Sequence, residues 1–155
     1  MFLVCIHHDG GSGESGCYGG KRLAPSAVLD ETVLDALGWL QGKQDAEFVA
    51  RLIAMYLETA LVLLVRLKEG VVHDDISALH HASHALKSCS ATIGAYSLAE
   101  FCERLESTTR DGQVPDHPVS WVESISVEYR RVEAALIARL TRTEIRAPLI
   151  LRNSP

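Results

Sequence analysis

Apolar residues recur every three or four positions along most of this chain, the period of a helix that turns one face to a core. The first such segment is short. Asp30 stands as an N-cap before Val33, Leu34, Leu37 and Leu40, and Gly42-Lys43-Gln44 interrupts the pattern. Asp45 then caps a long segment whose stripe is Phe48, Leu52, Met55/Tyr56, Leu63 and Leu67. Gly70 is placed to end it as a left-handed cap. Asp74 or Asp75 opens a third helix with Ile76, Leu79, Ser83, Leu86, Ser90 and Ile93 inward and Gly94 as its C-cap. A fourth, from Ser97 to Thr109, turns Leu98, Phe101, Cys102 and Leu105 inward. Asp111-Gly112 and Pro115 make a loop. A fifth helix starts near Pro118 and carries Val122, Ile125, Tyr129, Val132, Leu136 and Leu140.

No segment alternates with the period of a strand. Four long amphipathic helices joined by short loops bury one another's stripes, which predicts an all-α, up-down antiparallel four-helix bundle with a short additional N-terminal helix. Residues 1–26 have the Gly/Ser-rich composition of a flexible leader or linker, 27–141 form the expected bundle, and 142–155 are expected to fray as a C-terminal tail. Trp39 and Trp121 are expected to pack in the core or on its flank.

Composition removes several function classes. The chain has 155 residues, is 47% hydrophobic and carries a net charge of -5 with both signs interspersed. No Lys/Arg stripe marks a nucleic-acid surface. No apolar run approaches the roughly 18 residues of a membrane span. Met1 to Ile6 is apolar but lacks the basic flank of a secretory signal. Cys5, Cys17, Cys89 and Cys102 form no disulfide framework, and the last two fall on helix positions suited to reduced core thiols. These features suit a cytoplasmic protein.

The third helix carries the chemistry. At about 100° per residue, Leu86, Ser90 and Ile93 cluster within roughly 40° of Leu79, while His84 lies about 140° away, on the polar side. Ser77, His80, His81, Lys87, Ser88 and Ala91 share that broad face. Lys87 and Ser88 follow His84 by three and four positions and so neighbour it directly. A neutral imidazole is a competent nucleophile near neutral pH. A lysine beside it is a mobile point charge for a phosphoryl dianion. Small residues at Ser88 and Ala91 leave room for a partner to dock over the ring. Glu103, Arg104 and Glu106 read as the solvated face of the fourth helix.

The run His84-Ala85-Leu86-Lys87-Ser88-Cys89-Ser90-Ala91-Thr92-Ile93-Gly94-Ala95 resembles the signature of histidine phosphotransfer (HPt) domains of bacterial phosphorelays, His-x-Leu-Lys-(Gly/Ser)-x-(Ser/Ala)-x-x-(Leu/Ile)-Gly-Ala. Leu98 to Glu106 and Val28-Leu29-Asp30 resemble the family's following helix and its entry, so the resemblance covers about 28–140. It implies that His84 is the phosphoacceptor, that Lys87 helps hold the phosphoryl charge, and that Gly94 turns the chain out of the helix. His80, His81, Ser88 and Ala91 would frame the docking surface. Ser88 departs from the glycine common there, which bears on partner preference. The resemblance further implies receiver domains of a sensor kinase or response regulator as partners, with magnesium in the partner and no cofactor here. The glycine-rich leader suggests a module of a hybrid sensor kinase.

No Gly-rich phosphate loop is present, so the chain reads as a phosphocarrier rather than a kinase. Two rival readings remain. One is a helical adaptor that docks a receiver without carrying phosphate. The other is a metal-binding bundle using His80 and His84, which lack a carboxylate or cysteine at suitable spacing. Cys5-Ile6-His7-His8 with Cys17 sits in the glycine-rich leader and is read as unstructured rather than as a site.

Overall fold

The computed structural model describes residues 28–39, 45–113 and 115–150, with side chains up to Arg142. The expected leader, Leu40, the Gly42-Lys43-Gln44 break, the Cys5/Cys17 group and the last five residues lie outside the described residues.

Five helices follow one another: α1 (Glu31–Trp39), α2 (Ala46–Val72), α3 (Ile76–Thr92), α4 (Tyr96–Thr109) and α5 (Pro118–Ile150). α2 packs on α3 and α5, and α4 packs on the same two, so the four long helices close into a ring with α1 against α2. Leu34, Ile53, Leu67, Leu86, Leu98, Leu105, Ile125 and Leu136 are fully buried along its axis. This is the four-helix bundle with a short first helix that the periodicity predicts.

The caps fall where short acidic residues can reach the free N–H groups of a first turn. Asp45 accepts from the Phe48 N–H at 2.9 Å, and Asp75, not Asp74, accepts from the Ala78 N–H at 2.9 Å. At the other end of α3, Gly94 takes φ +84°. A Cβ there would stand 2.7 Å from the Asp30 carbonyl oxygen. The Asp30 N–H in turn donates to the Gly94 oxygen at 3.0 Å, tying the entry of α1 to the exit of α3. Arg139 of α5 holds the other face of α1 through Glu31, at 2.9 Å, and Asp35.

Five expectations are corrected. Gly70 does not end α2. The helix runs on to Val72, and Gly70 is a point of close approach whose added Cβ would lie 3.0 Å from Leu79 Cγ. Positive φ falls on Asp74 instead. Met55 is 65% exposed because Tyr56 takes the inward position and bonds Ser90 at 3.1 Å. Trp39 is exposed at the end of α1, whereas Trp121 does pack on the core. α5 remains helical to Ile150, well beyond Leu140. Finally, α2 is long and apolar enough to cross a membrane by length and composition, although it is interrupted by charge at Glu58 and Arg66. Eight of its residues face the bundle interior, which accounts for part of that apolarity.

Candidate functional site

The site stands on the seam between α3 and α4, the most extensively packed helix pair. Leu79, Leu86 and Ser90 anchor α3 inward, so the face about 140° round the helix, with His84, points out. The His84 side chain is 60% exposed.

Beneath it lies a residue that the sequence pattern assigned to solvent. Glu106 of α4 is only 4% exposed. Its Oε1 stands 2.9 Å from His84 Nδ1. Its Oε2 stands 2.5 Å from Lys87 Nζ in an ion pair. Arg110 brings a guanidinium to 3.9 Å of Oε1. Burial pushes the Glu106 carboxyl up, but Lys87 and His84 together outweigh that and hold it below the usual carboxylate range. It is therefore ionised at neutral pH and can only accept hydrogen bonds.

The consequence for His84 is chemical. Because Glu106 only accepts, Nδ1 must carry the N–H, and the neutral form of the ring then has its lone pair on Nε2. Nε2 makes no hydrogen bond among the described residues and sits on a largely exposed ring. The buried carboxylate thus fixes both the tautomer and the orientation of the ring, as a carboxylate does for a ligating histidine.

His80 lies one turn earlier and is turned inward more than the wheel suggested. Its Nδ1 donates to the Glu106 carbonyl at 3.2 Å, with the Thr109 hydroxyl at 3.4 Å. His80 therefore clamps the Glu106 turn of α4 onto α3. His81 is exposed, its ring edge-on to His80 at 5.6 Å. Ser88 is exposed, but its hydroxyl donates to the His84 carbonyl at 3.0 Å, so it is spent within the helix. Ala91 is half-buried. Lys87 is brought to the site as expected, yet it is engaged by Glu106 and only 26% exposed. Among the described residues no three His, Cys, Asp or Glu side chains are grouped to hold a metal ion.

Glu106 could have been found from the sequence. It follows Cys102 by four positions, which puts it about 80° from Leu98, at the edge of the apolar stripe, whereas Glu103 lies about 140° away. No pairwise spacing within α4 points to His84; that contact is made between helices.

A helical bundle that presents an imidazole with a free outward nitrogen, held from below by a buried carboxylate and flanked by cations, defines a histidine phosphoryl carrier. The comparisons with known proteins agree. The sequence model of the Hpt domain family matches residues 51–142, and the chain belongs to that family, the histidine phosphotransfer domains of two-component phosphorelays. The chain is 27% identical over 89 residues to multistep phosphorelay regulator 1 of Schizosaccharomyces pombe, a match spanning 55% of this chain but 30% of that protein. Its fold is shared with the crystal structure of the histidine-containing phosphotransfer protein HptB from Pseudomonas aeruginosa PAO1. The TM-score is 0.68 at 24% identity, covering 76% of this chain and 97% of that one.

Proposed function

We propose that His84 is the phosphoacceptor: its Nε2 attacks the phosphoryl group of a receiver-domain phosphoaspartate and later returns it to the aspartate of another receiver. The observation that carries this reading is the 2.9 Å contact between His84 Nδ1 and the buried Glu106. It keeps a proton on Nδ1, so that the neutral form of the ring turns its lone pair outward on Nε2, the state an attacking imidazole needs.

In the forward step the Nε2 lone pair forms the N–P bond as the P–O bond to the aspartate breaks, and the aspartate leaves as a carboxylate. No proton is transferred at Nε2. The ring becomes cationic with Nδ1 still protonated, and Glu106 beneath it offsets that charge. Lys87, on the next turn, neutralises part of the phosphoryl dianion. His81, Ser88 and Ala91 form the surface on which a receiver docks, and the magnesium used in transfer belongs to the receiver. The chain works as a phosphocarrier in the cytoplasm, receiving phosphate rather than taking it from ATP.

The test is to incubate the chain with a receiver domain charged with labelled phosphate. Acid-labile, base-stable label should pass to the chain and be absent from His84→Gln. Label on the His84→Gln chain overturns the assignment. Tight binding of the receiver without any label on the wild-type chain supports a docking adaptor instead.

A further inference from the structure

We infer that the outward face of α2 joins two copies of this chain in an antiparallel, two-fold dimer. The apolar content of α2 is larger than its core contacts use. Met55, Leu61, Val62, Val65 and Val72 are 65%, 50%, 54%, 53% and 75% exposed. With Ala60 taken as the core direction, these five fall between about 100° and 220° at roughly 100° per residue, one continuous face. Scattered exposed apolar residues need no explanation, but a stripe of this kind along one helix marks an interaction surface.

The surroundings separate this face from the phosphorylation site. Gly70 meets Leu79 of α3 on one side of α2, and the Leu57 carbonyl accepts from Tyr129 of α5 at 3.5 Å on the other. The apolar face looks away from both. His84 is turned to α4, the helix diagonal to α2 in the ring. A partner on α2 leaves Nε2 of His84 open.

Charge selects the occupant. This face and its edge carry Glu47, Arg51, Glu58, Arg66 and Glu69, alternating in sign, with Arg51 3.8 Å from Glu47. A two-fold axis near Leu61 with the helices antiparallel sets Glu58 against Arg66 of the second copy, and Arg51 against its Glu69, each within about half a turn of level. Two-fold symmetry makes each pair twice. Among the described residues Glu58, Arg66 and Glu69 make no ion pair of their own. A parallel pair would set Glu58 against Glu58. A membrane surface is disfavoured, since interfacial helices flank their apolar face with Lys and Arg, whereas Glu58 and Glu69 stand within this one.

The experiment is sedimentation equilibrium of the full chain from about 10 to about 500 µM, since one helix face lies at the small end of stable interfaces and should dissociate in the micromolar range. Dimer is expected for the wild type and monomer for Val62→Lys. Glu58→Arg should weaken association at least about fivefold, and adding Arg66→Glu should restore it to within about twofold, by re-forming the pair with reversed sign. A monomeric wild type at the highest concentration overturns the inference, as does unchanged dimerisation of Val62→Lys or a double variant no better than Glu58→Arg. Transfer of label from a receiver to His84 should be unchanged in Val62→Lys; its loss would make this the receiver's face and not a dimer's. Flotation of the wild type with anionic phosphatidylserine vesicles, abolished by Val62→Lys, would assign the face to membrane and equally overturn it.

Discussion

Glu106 Oε1 lies 2.9 Å from His84 Nδ1, joining a carboxylate 4% exposed on α4 to an imidazole 60% exposed on α3. Removing the carboxylate frees the ring to rotate and to place its proton on either nitrogen. Glu106→Ala should slow labelling of His84 by about tenfold or more, the equivalent of losing about 1.4 kcal/mol of orientation. Glu106→Gln keeps an acceptor for Nδ1 and should recover part of that rate. The tautomer itself can be read from imidazole nitrogen shifts at pH 8. The wild type should show His84 protonated at Nδ1, and Glu106→Ala a mixture.

Lys87 stands 2.5 Å from the same carboxylate. It is therefore held by Glu106, and in the proposed transfer the phosphoryl group would share it. Lys87→Ala should shorten the lifetime of the phosphorylated protein and slow labelling by roughly tenfold. It should also leave Glu106 easier to protonate, since the largest of the effects lowering that carboxyl is removed. Hydrolysis of isolated phosphoprotein and titration of the Glu106 carboxyl carbon by NMR check the two outcomes.

The depressed carboxyl of Glu106 makes stability depend on acid. Its folded-state pKa lies below that of an ordinary glutamate, so the unfolded chain binds the proton more readily. Stability from this group is fully present above the unfolded pKa, and it is lost as pH falls through the folded value. Urea unfolding between pH 7 and pH 3 should show the wild type losing stability below about pH 4.5. Glu106→Gln should lose less over the same interval.

Gly94→Ala should destabilise the fold by about 1–3 kcal/mol, because an L residue at positive φ is strained and its Cβ collides with backbone. The collision is with the Asp30 carbonyl, 2.7 Å from the added atom. Denaturant unfolding measures the loss, and α1, tied to Gly94 through Asp30, should exchange its amide hydrogens sooner than α3.

The fold was legible because its helices are built from apolar stripes and local caps, both short-range signals. Asp45 and Asp75 cap within three residues of themselves, and Gly94 needs its own φ. Gly70 misled for the same reason. The local pattern reads it as a stop signal, while its use is to let Leu79 approach from another helix. Spacing alone does not choose between Met55 and Tyr56, and the hydroxyl partner Ser90 on α3 decides between them. The site divides likewise. His84 and Lys87 share one helix, and turn spacing alone places them side by side. Glu106, twenty-two positions from His84, is brought beneath it only by the packing of α4 on α3. His80 was expected on the docking surface, and its bond to the Glu106 carbonyl depends on the same packing.

In the proposed relay, Nε2 of His84 is the atom that carries phosphate. The direct measurement is nitrogen NMR of the histidine-labelled chain after transfer from a phosphorylated receiver, with phosphorus coupling resolved to the ring nitrogen. Phosphorus coupled to Nε2 of His84, with Nδ1 still protonated, is the predicted result. Phosphate on Nδ1, on His80 or His81, or on no histidine at all would contradict it.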